Sequence, residues 1–168
     1  RDSVASRGLG DVYKRQPLYL LNNMLGGPGM NARLNVILRE RRGLVYSVES
    51  SMVCYGDTGL WAVYFGCDPH DVNRCVRLVK GEFKRLMEKP LSEKTLAAAK
   101  KQIKGQLAVA CDNNENFAID FGKSFLHFGD EKDIEKLYQK IDAVTAEQTQ
   151  QVAKEIFDKD SLATLVIK

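Results

Sequence analysis

Between Val36 and Ser50 the sequence reads VILRERRGLVYSVES. Four charged residues, Arg39, Glu40, Arg41 and Arg42, stand where a helical pattern gives way to a strand pattern. Such a cluster either completes a helix end or binds something. Arg41 and Arg42 fit the first role, because they fall in the last turn before Gly43, beside the negative end of the helix dipole. Glycine in turn supplies the left-handed residue on which helices commonly end. Glu40 has neighbouring arginines to pair with. Taken alone, Arg39 reads as an exposed helix-end cation and Tyr46 as a half-buried strand aromatic.

Other chemistry is sparse. Hydrolytic metal sites need His, Asp or Glu ligands brought to one ion. The two histidines, His70 and His127, are far apart, and neither belongs to His-x-x-x-His or His-x-x-Glu-His. Both read as structural. There is no Gly-x-Ser-x-Gly and no Walker-type phosphate loop. The glycine-rich LGGPGMN (Leu25 to Asn31) lacks the preceding strand and the Lys-Ser/Thr such a loop requires, so it reads as an interhelix turn. Cys54, Cys67, Cys75 and Cys111 form no Cys-x-x-Cys pair and sit in apolar patterns. Reduced buried thiols are the expectation, with a cytoplasmic location.

The elements that must position these residues follow from patterning. The 168 residues suggest one domain, and 44% hydrophobic with 28% charged residues is the balance of a globular chain with a sizeable core. A net charge of +3, with both signs interspersed, gives no reason to expect nucleic acid or a membrane as partner. Pro17 opens a helix with Leu18, Leu21 and Leu25 on one face. A second helix carries Leu34, Ile37 and Leu38 to Gly43. LVYSVESSMVCY and LWAVYFGC, joined by Gly56 to Gly59, read as an antiparallel hairpin. Asp68-Pro69 marks the start of a helix with Val72, Cys75, Val79, Phe83 and Leu86 on one side.

Ser92 caps the next helix, which CDNNEN (Cys111 to Asn116) breaks or kinks. A phenylalanine-rich helix follows, with Phe117, Phe121, Phe125 and Phe128. Two short helices remain, the second opened by a Thr145…Gln148 capping box, and SLATLVIK ends the chain as a strand. The fold class is α+β, with helices packed on one face of a mainly antiparallel sheet. Three strands are few for so many helices, so further strands are expected upstream of Pro17.

LGGPGMNARLNVILRERRGLVYSV followed by YGDTGLWAVYF resembles the C-terminal half of the pitrilysin/insulinase family of zinc peptidases, which includes the mitochondrial processing peptidase and bacterial relatives. The glycine-rich turn, Arg33-Leu34, and Arg39-Glu40-x-Arg42-Gly43-Leu44-x-Tyr46-Ser47 carry the likeness. Asp57-Thr58-Gly59 and the helix LAAAKKQIKGQLAVA support it, and it runs from about Pro17 to the end of the chain. Ala32 departs from the family's common serine, which bears only on a local turn contact.

The resemblance implies a two-half enzyme, each half with the same α+β fold, closing around an extended peptide. The N-terminal half, or a partner subunit, holds zinc through His-x-x-Glu-His and a later glutamate. The C-terminal half binds no metal and supplies an arginine and a tyrosine that contact substrate. The matching positions are Arg39 and Tyr46. A guanidinium offers a fixed fork of donors and a phenol one more on a rigid ring, suited to peptide carbonyls and a developing oxyanion. The expectation is a substrate-positioning domain that is inactive by itself, with zinc only in the complete enzyme. The rivals are a non-catalytic family member acting as a structural or chaperone-like subunit, and a generic peptide-binding module.

Residues 1–16, RDSVASRGLGDVYKRQ, match no pattern downstream. DVYKRQ can be encoded as GAT GTG TAT AAG AGA CAG, which resembles a transposon end used to fragment sequencing libraries. These residues are therefore expected to be a library artefact outside the fold, leaving 17–168 as a truncated C-terminal domain. Amplification of the gene from source DNA is expected to give different codons upstream of Pro17; the same codons would refute it. The same upstream sequence would show whether His-x-x-Glu-His is present.

Overall fold

The computed structural model describes residues 2–7, 12–54, 59–111, 118–119, 122, 126 and 134–167. Strands β1 (Asp2–Arg7), β2 (Val45–Cys54), β3 (Gly59–Cys67) and β4 (Ala163–Leu165) form one antiparallel sheet in the order β2-β3-β1-β4. The helices are α1 (Val12–Gly26), α2 (Val72–Glu88), α3 (Glu93–Cys111), α4 (Ile134–Asp142) and α5 (Ala146–Ile156). A π-helical segment, Asn35–Glu40, stands between α1 and β2. The α+β class read from the sequence is the observed one. The expected breaking segment and phenylalanine-rich helix, with Phe117, Phe121, Phe125, Phe128 and His127, lie outside the described residues, as do the side chains of Cys54 and Cys111.

The placement of residues 1–16 outside the fold is corrected at Asp2–Arg7. This segment pairs with β3 from Asp2↔Phe65 to Arg7↔Leu60, and with β4 from Ser3↔Leu165 to Ala5↔Ala163. It fills the gap between two strands that do not otherwise meet, so backbone pairing on both edges makes it a strand despite its weak pattern. Helix α1 likewise starts at Val12, so Pro17 lies inside it and not at its first position. Proline lacks the N–H for one i→i−4 bond there, although its fixed φ suits a helix.

The hairpin emerges as expected. Along β3, Trp61, Val63 and Phe65 are buried while Leu60 is exposed, the alternation of a sheet with one covered face. Beneath Trp61 lie Phe83 of α2 and Phe157 just past α5. Phe83 and Phe157 stack at 4.5 Å between ring centroids, and Trp61 meets them at 5.5 and 4.8 Å. Aromatic pairs at these distances add about 0.5–1.5 kcal/mol each beyond the area they bury.

Capping follows the sequence in two places and departs from it in one. Thr145 and Gln148 exchange both bonds of a capping box, and Ser92 Oγ accepts the Thr95 N–H. Asp68-Pro69 does not start α2. A turn closed by the Asp71 N–H on the Asp68 carbonyl comes first, and the N-cap is Asp71. Its carboxylate pairs with Arg74 at 3.8 Å and approaches His70 at 3.3 Å in place of capping the backbone.

Helix α1 is fastened to the hairpin at its C-terminal end. Asn22 accepts two bonds at 2.9 Å, from the Trp61 indole N–H on its side-chain oxygen and from Ser50 Oγ on its main-chain oxygen. Gly26, one turn later, lies so close to β2 that a Cβ there would stand 2.5 Å from the Ser50 nitrogen. By contrast, Gly105 on exposed α3 has open space where a Cβ would go. Gly26→Ala is expected to cost about 1–3 kcal/mol through overpacking against backbone. Gly105→Ala is expected to gain about 0.5–1 kcal/mol from helix propensity. Urea unfolding of both variants checks the contrast in sign.

Cys75 in α2 is fully buried, and Cys67 at the end of β3 is half-buried. Burial pushes the Cys75 thiol up to about 12, with the adjacent Cys67 adding to the effect. The thiolate is the reactive form. At pH 8, well below that value, Cys75 is expected to stay unlabelled by iodoacetamide in the folded protein and to label fully in denaturant, as read by peptide mass spectrometry.

Candidate functional site

The segment between α1 and β2 departs from regular geometry twice, by one residue each time. Val36 N–H bonds the Ala32 carbonyl in α-helical fashion, but Arg41 N–H reaches back five residues to Val36. This is a π-helical turn, and Arg39 lies within it. The helix then ends on Gly43 at φ 60°. Gly43 N–H bonds the Arg39 carbonyl and Leu44 N–H bonds the Leu38 carbonyl, each span one residue wider than in a Schellman ending. Arg42 donates a guanidinium N–H to the Ile37 carbonyl at 2.9 Å, so its charge serves the helix end as expected.

The second irregularity is in β2. Val45 pairs with Cys67, yet Ser47 pairs with the very next residue, Gly66. Tyr46 is thus the extra residue of a β-bulge, a device that bends the strand and re-aims a side chain. Tyr46 is 78% exposed. The half-buried position expected for Tyr46 is therefore corrected: a bulge residue takes no place in the alternation that covers Val45 and Val48.

Arg39 lines an open pocket of about 500 Å³. One wall is the glycine turn from Gly26 to Gly29, a second is β2 from Ser47 to Ser50, and the remainder comes from α1, Asn35 and Gln106. Tyr46 is not in this lining, although Ser47 beside it is. The structure thus places the two candidates on either side of Gly43, Arg39 in the pocket and Tyr46 out in solvent near its rim strand.

Two carboxamide pairs hold the turn in place. Asn23 of α1 donates to Gln106 of α3, and Asn31 donates to Gln102 at 2.9 Å. Gln102 and Gln106 are one turn apart on α3, so a single helix face braces both sides of the glycine turn. Asn35, itself buried, donates to the Met30 carbonyl at 3.0 Å. The turn at Ala32 closes through its own N–H on the Gly29 carbonyl. Apolar periodicity does not reveal these amides. The visible signal was two glutamines four residues apart on α3 opposite the asparagine-rich stretch from Asn22 to Asn35.

On the far side of the π-helical segment, Glu82 of α2 is buried and accepts from Arg85 at 2.9 Å, with Arg33 at 3.8 Å. This arrangement ties the segment to α2. It leaves Arg39 outside that network among the described residues, with its charge available to the pocket.

The donor set for a metal is tested by the same geometry. Among the described residues, one group of His, Asp and Glu side chains converges, namely Asp68, His70 and Asp71, with ligand atoms within 4.8 Å of one another. Asp68 and His70 are exposed, the group lies in the turn before α2, and none of the three lines the pocket. It does not fit a His-x-x-Glu-His donor set, and no catalytic step through a metal is assigned to this chain. No helix among the described residues is long and apolar enough to cross a membrane.

Comparison with known proteins gives the family and the fold. Residues 6–103 match the family model described as the peptidase M16 inactive domain. An uncharacterized zinc protease of Streptomyces coelicolor is 30% identical over 146 residues, covering 87% of this chain and 32% of the relative. The beta subunit of the mitochondrial-processing peptidase of Bos taurus is 31% identical over 157 residues, covering 89% of this chain and 32% of that protein. The crystal structure of a peptidase M16 inactive domain from Pseudomonas fluorescens superposes with a TM-score of 0.72 at 22% identity, over 97% of this chain and 40% of that one. The chain spans about a third of the length of the two sequence relatives. With the family model covering more than half of its residues, this chain belongs to the M16 family of peptidases and corresponds to the domain described there as inactive.

Proposed function

We propose that this domain positions extended peptides in a zinc-dependent metalloendopeptidase whose metal and His-x-x-Glu-His ligands belong to a complementary half, on the same chain or a partner subunit. The observation that carries this reading is the pairing of irregularities. Arg39 lies in a π-helical turn and Tyr46 in a β-bulge, each one residue out of register. Irregular turns of both kinds concentrate at functional sites, where they re-aim side chains. Arg39 brings a planar set of donors to a pocket wall. Tyr46 is 78% exposed and carries its hydroxyl on a rigid ring. Together they supply donors for peptide carbonyls and for negative charge that develops on a reacting oxygen.

The supporting relatives are named zinc proteases, and one is a processing peptidase subunit. In the complete protein, Arg39→Ala and Tyr46→Phe are each expected to lower kcat on an extended peptide by about 10²-fold, the order seen when one oxyanion donor is removed. Zinc content by elemental analysis is expected to stay at the wild-type level. The 168-residue chain alone is expected to show no zinc-dependent proteolysis. Undiminished turnover in both variants would refute the positioning role, and a complete protein lacking His-x-x-Glu-His would be a scaffold.

A further inference from the structure

The pocket beside Arg39 holds polar capacity that the positioning role does not use. Asn35 is 8% exposed, and its NH₂ group is fixed toward the Met30 carbonyl, because a carbonyl only accepts. Its side-chain oxygen accepts no hydrogen bond from any described residue. Asn22 is fixed in the opposite sense. The Trp61 indole only donates, so the Asn22 oxygen faces it and the NH₂ is left over, bonded to no described residue. Both residues line the 500 Å³ pocket. A buried acceptor without a partner carries a desolvation cost, which a ligand group recovers.

One fixed acceptor and one fixed donor, both neutral and both without a partner among the described residues, match a group that carries an N–H and a C=O together. We infer that this pocket is a subsite for an amide group of the bound peptide, held between the Asn22 NH₂ and the Asn35 oxygen. The inference rests on the peptide-positioning reading of Arg39 but stands on different side chains. The amide has two sources, a glutamine or asparagine side chain or a main-chain peptide group. A carboxylate would leave the Asn35 oxygen facing another acceptor, and an apolar side chain would leave both groups unpaired. A site built on hydrogen bonds rejects an isostere lacking them far more strongly than an apolar pocket rejects a missing methylene.

The test is titration of the ¹⁵N-labelled 168-residue chain with capped Ala-Xaa-Ala peptides, where Xaa is Gln, Glu or Met, following the side-chain NH₂ signals of Asn22 and Asn35. Saturable shifts with Gln, at least tenfold weaker with Glu and Met, identify a side-chain amide. Equal shifts with all three, abolished by N-methylating one peptide bond, identify a main-chain amide. Asn22→Asp keeps the acceptor for Trp61 but turns the free donor into a second acceptor, so it is expected to lower affinity at least tenfold without loss of the fold by circular dichroism. No shift of either signal with any peptide, or undiminished affinity in Asn22→Asp, overturns the subsite. Because the readout is binding, shifts that persist alongside full turnover in Arg39→Ala and Tyr46→Phe would keep the subsite while removing the positioning role.

Discussion

The placement of Asn22 between the hairpin and its own helix is the constraint on which the rest of the site depends. The Trp61 indole must satisfy its N–H after the ring is buried, and Asn22 is what it meets. Burying a tryptophan removes about 150–250 Å² from water, worth several kcal/mol at about 25 cal/mol per Å². The hydrogen bond itself contributes about 1 kcal/mol net. Burial therefore drives the packing, and the bond selects which rotation and height of α1 accompanies it. Ser50 reads the same position from β2. With α1 fixed at that height, Gly26 is pressed onto β2, and the turn that follows can run only along the strand edge.

From that turn outward the architecture is one of amides in place of charges. Asn23 with Gln106 and Asn31 with Gln102 join α1 and the turn to α3. Carboxamides suit this position because each offers donor and acceptor together and needs no counter-ion when half-buried. A salt bridge there would incur desolvation that a neutral pair avoids. The charged contacts are kept elsewhere, on Glu82 with its arginines and on the Lys104–Asp142 pair that joins α3 to α4. Among the described residues, Arg39 is the only cation lining the pocket.

Much of this was legible in the residues. Alternating Trp61, Val63 and Phe65, the apolar face of α2, the Thr145…Gln148 box and Gly43 as a helix end all encode their structure locally, through period, cap or the need for positive φ. What was illegible is what the tertiary fold imposes. Asp2–Arg7 has too few apolar residues to announce a strand, and it becomes one by filling the space between β3 and β4. The π-helical turn leaves the apolar stripe of Leu34 and Leu38 intact and so does not show in a period of 3.6. The bulge at Tyr46 shows only against its partner strand. Arg39 and Tyr46 were reached through resemblance, and their spacing alone would not have separated them from surface residues.

Both irregularities around Gly43 are single-residue insertions in elements that are otherwise regular. Each sits where the chain faces solvent or pocket, while Leu38, Leu44 and Val45 keep the core on the other side. Deleting one residue from the helix and one from the strand would restore ordinary geometry without touching that core. The irregular turns and the scaffold are thus separable by inheritance. A lineage can shed the first through two short indels and retain the second whole, which gives such a domain a physical route to serving as architecture alone.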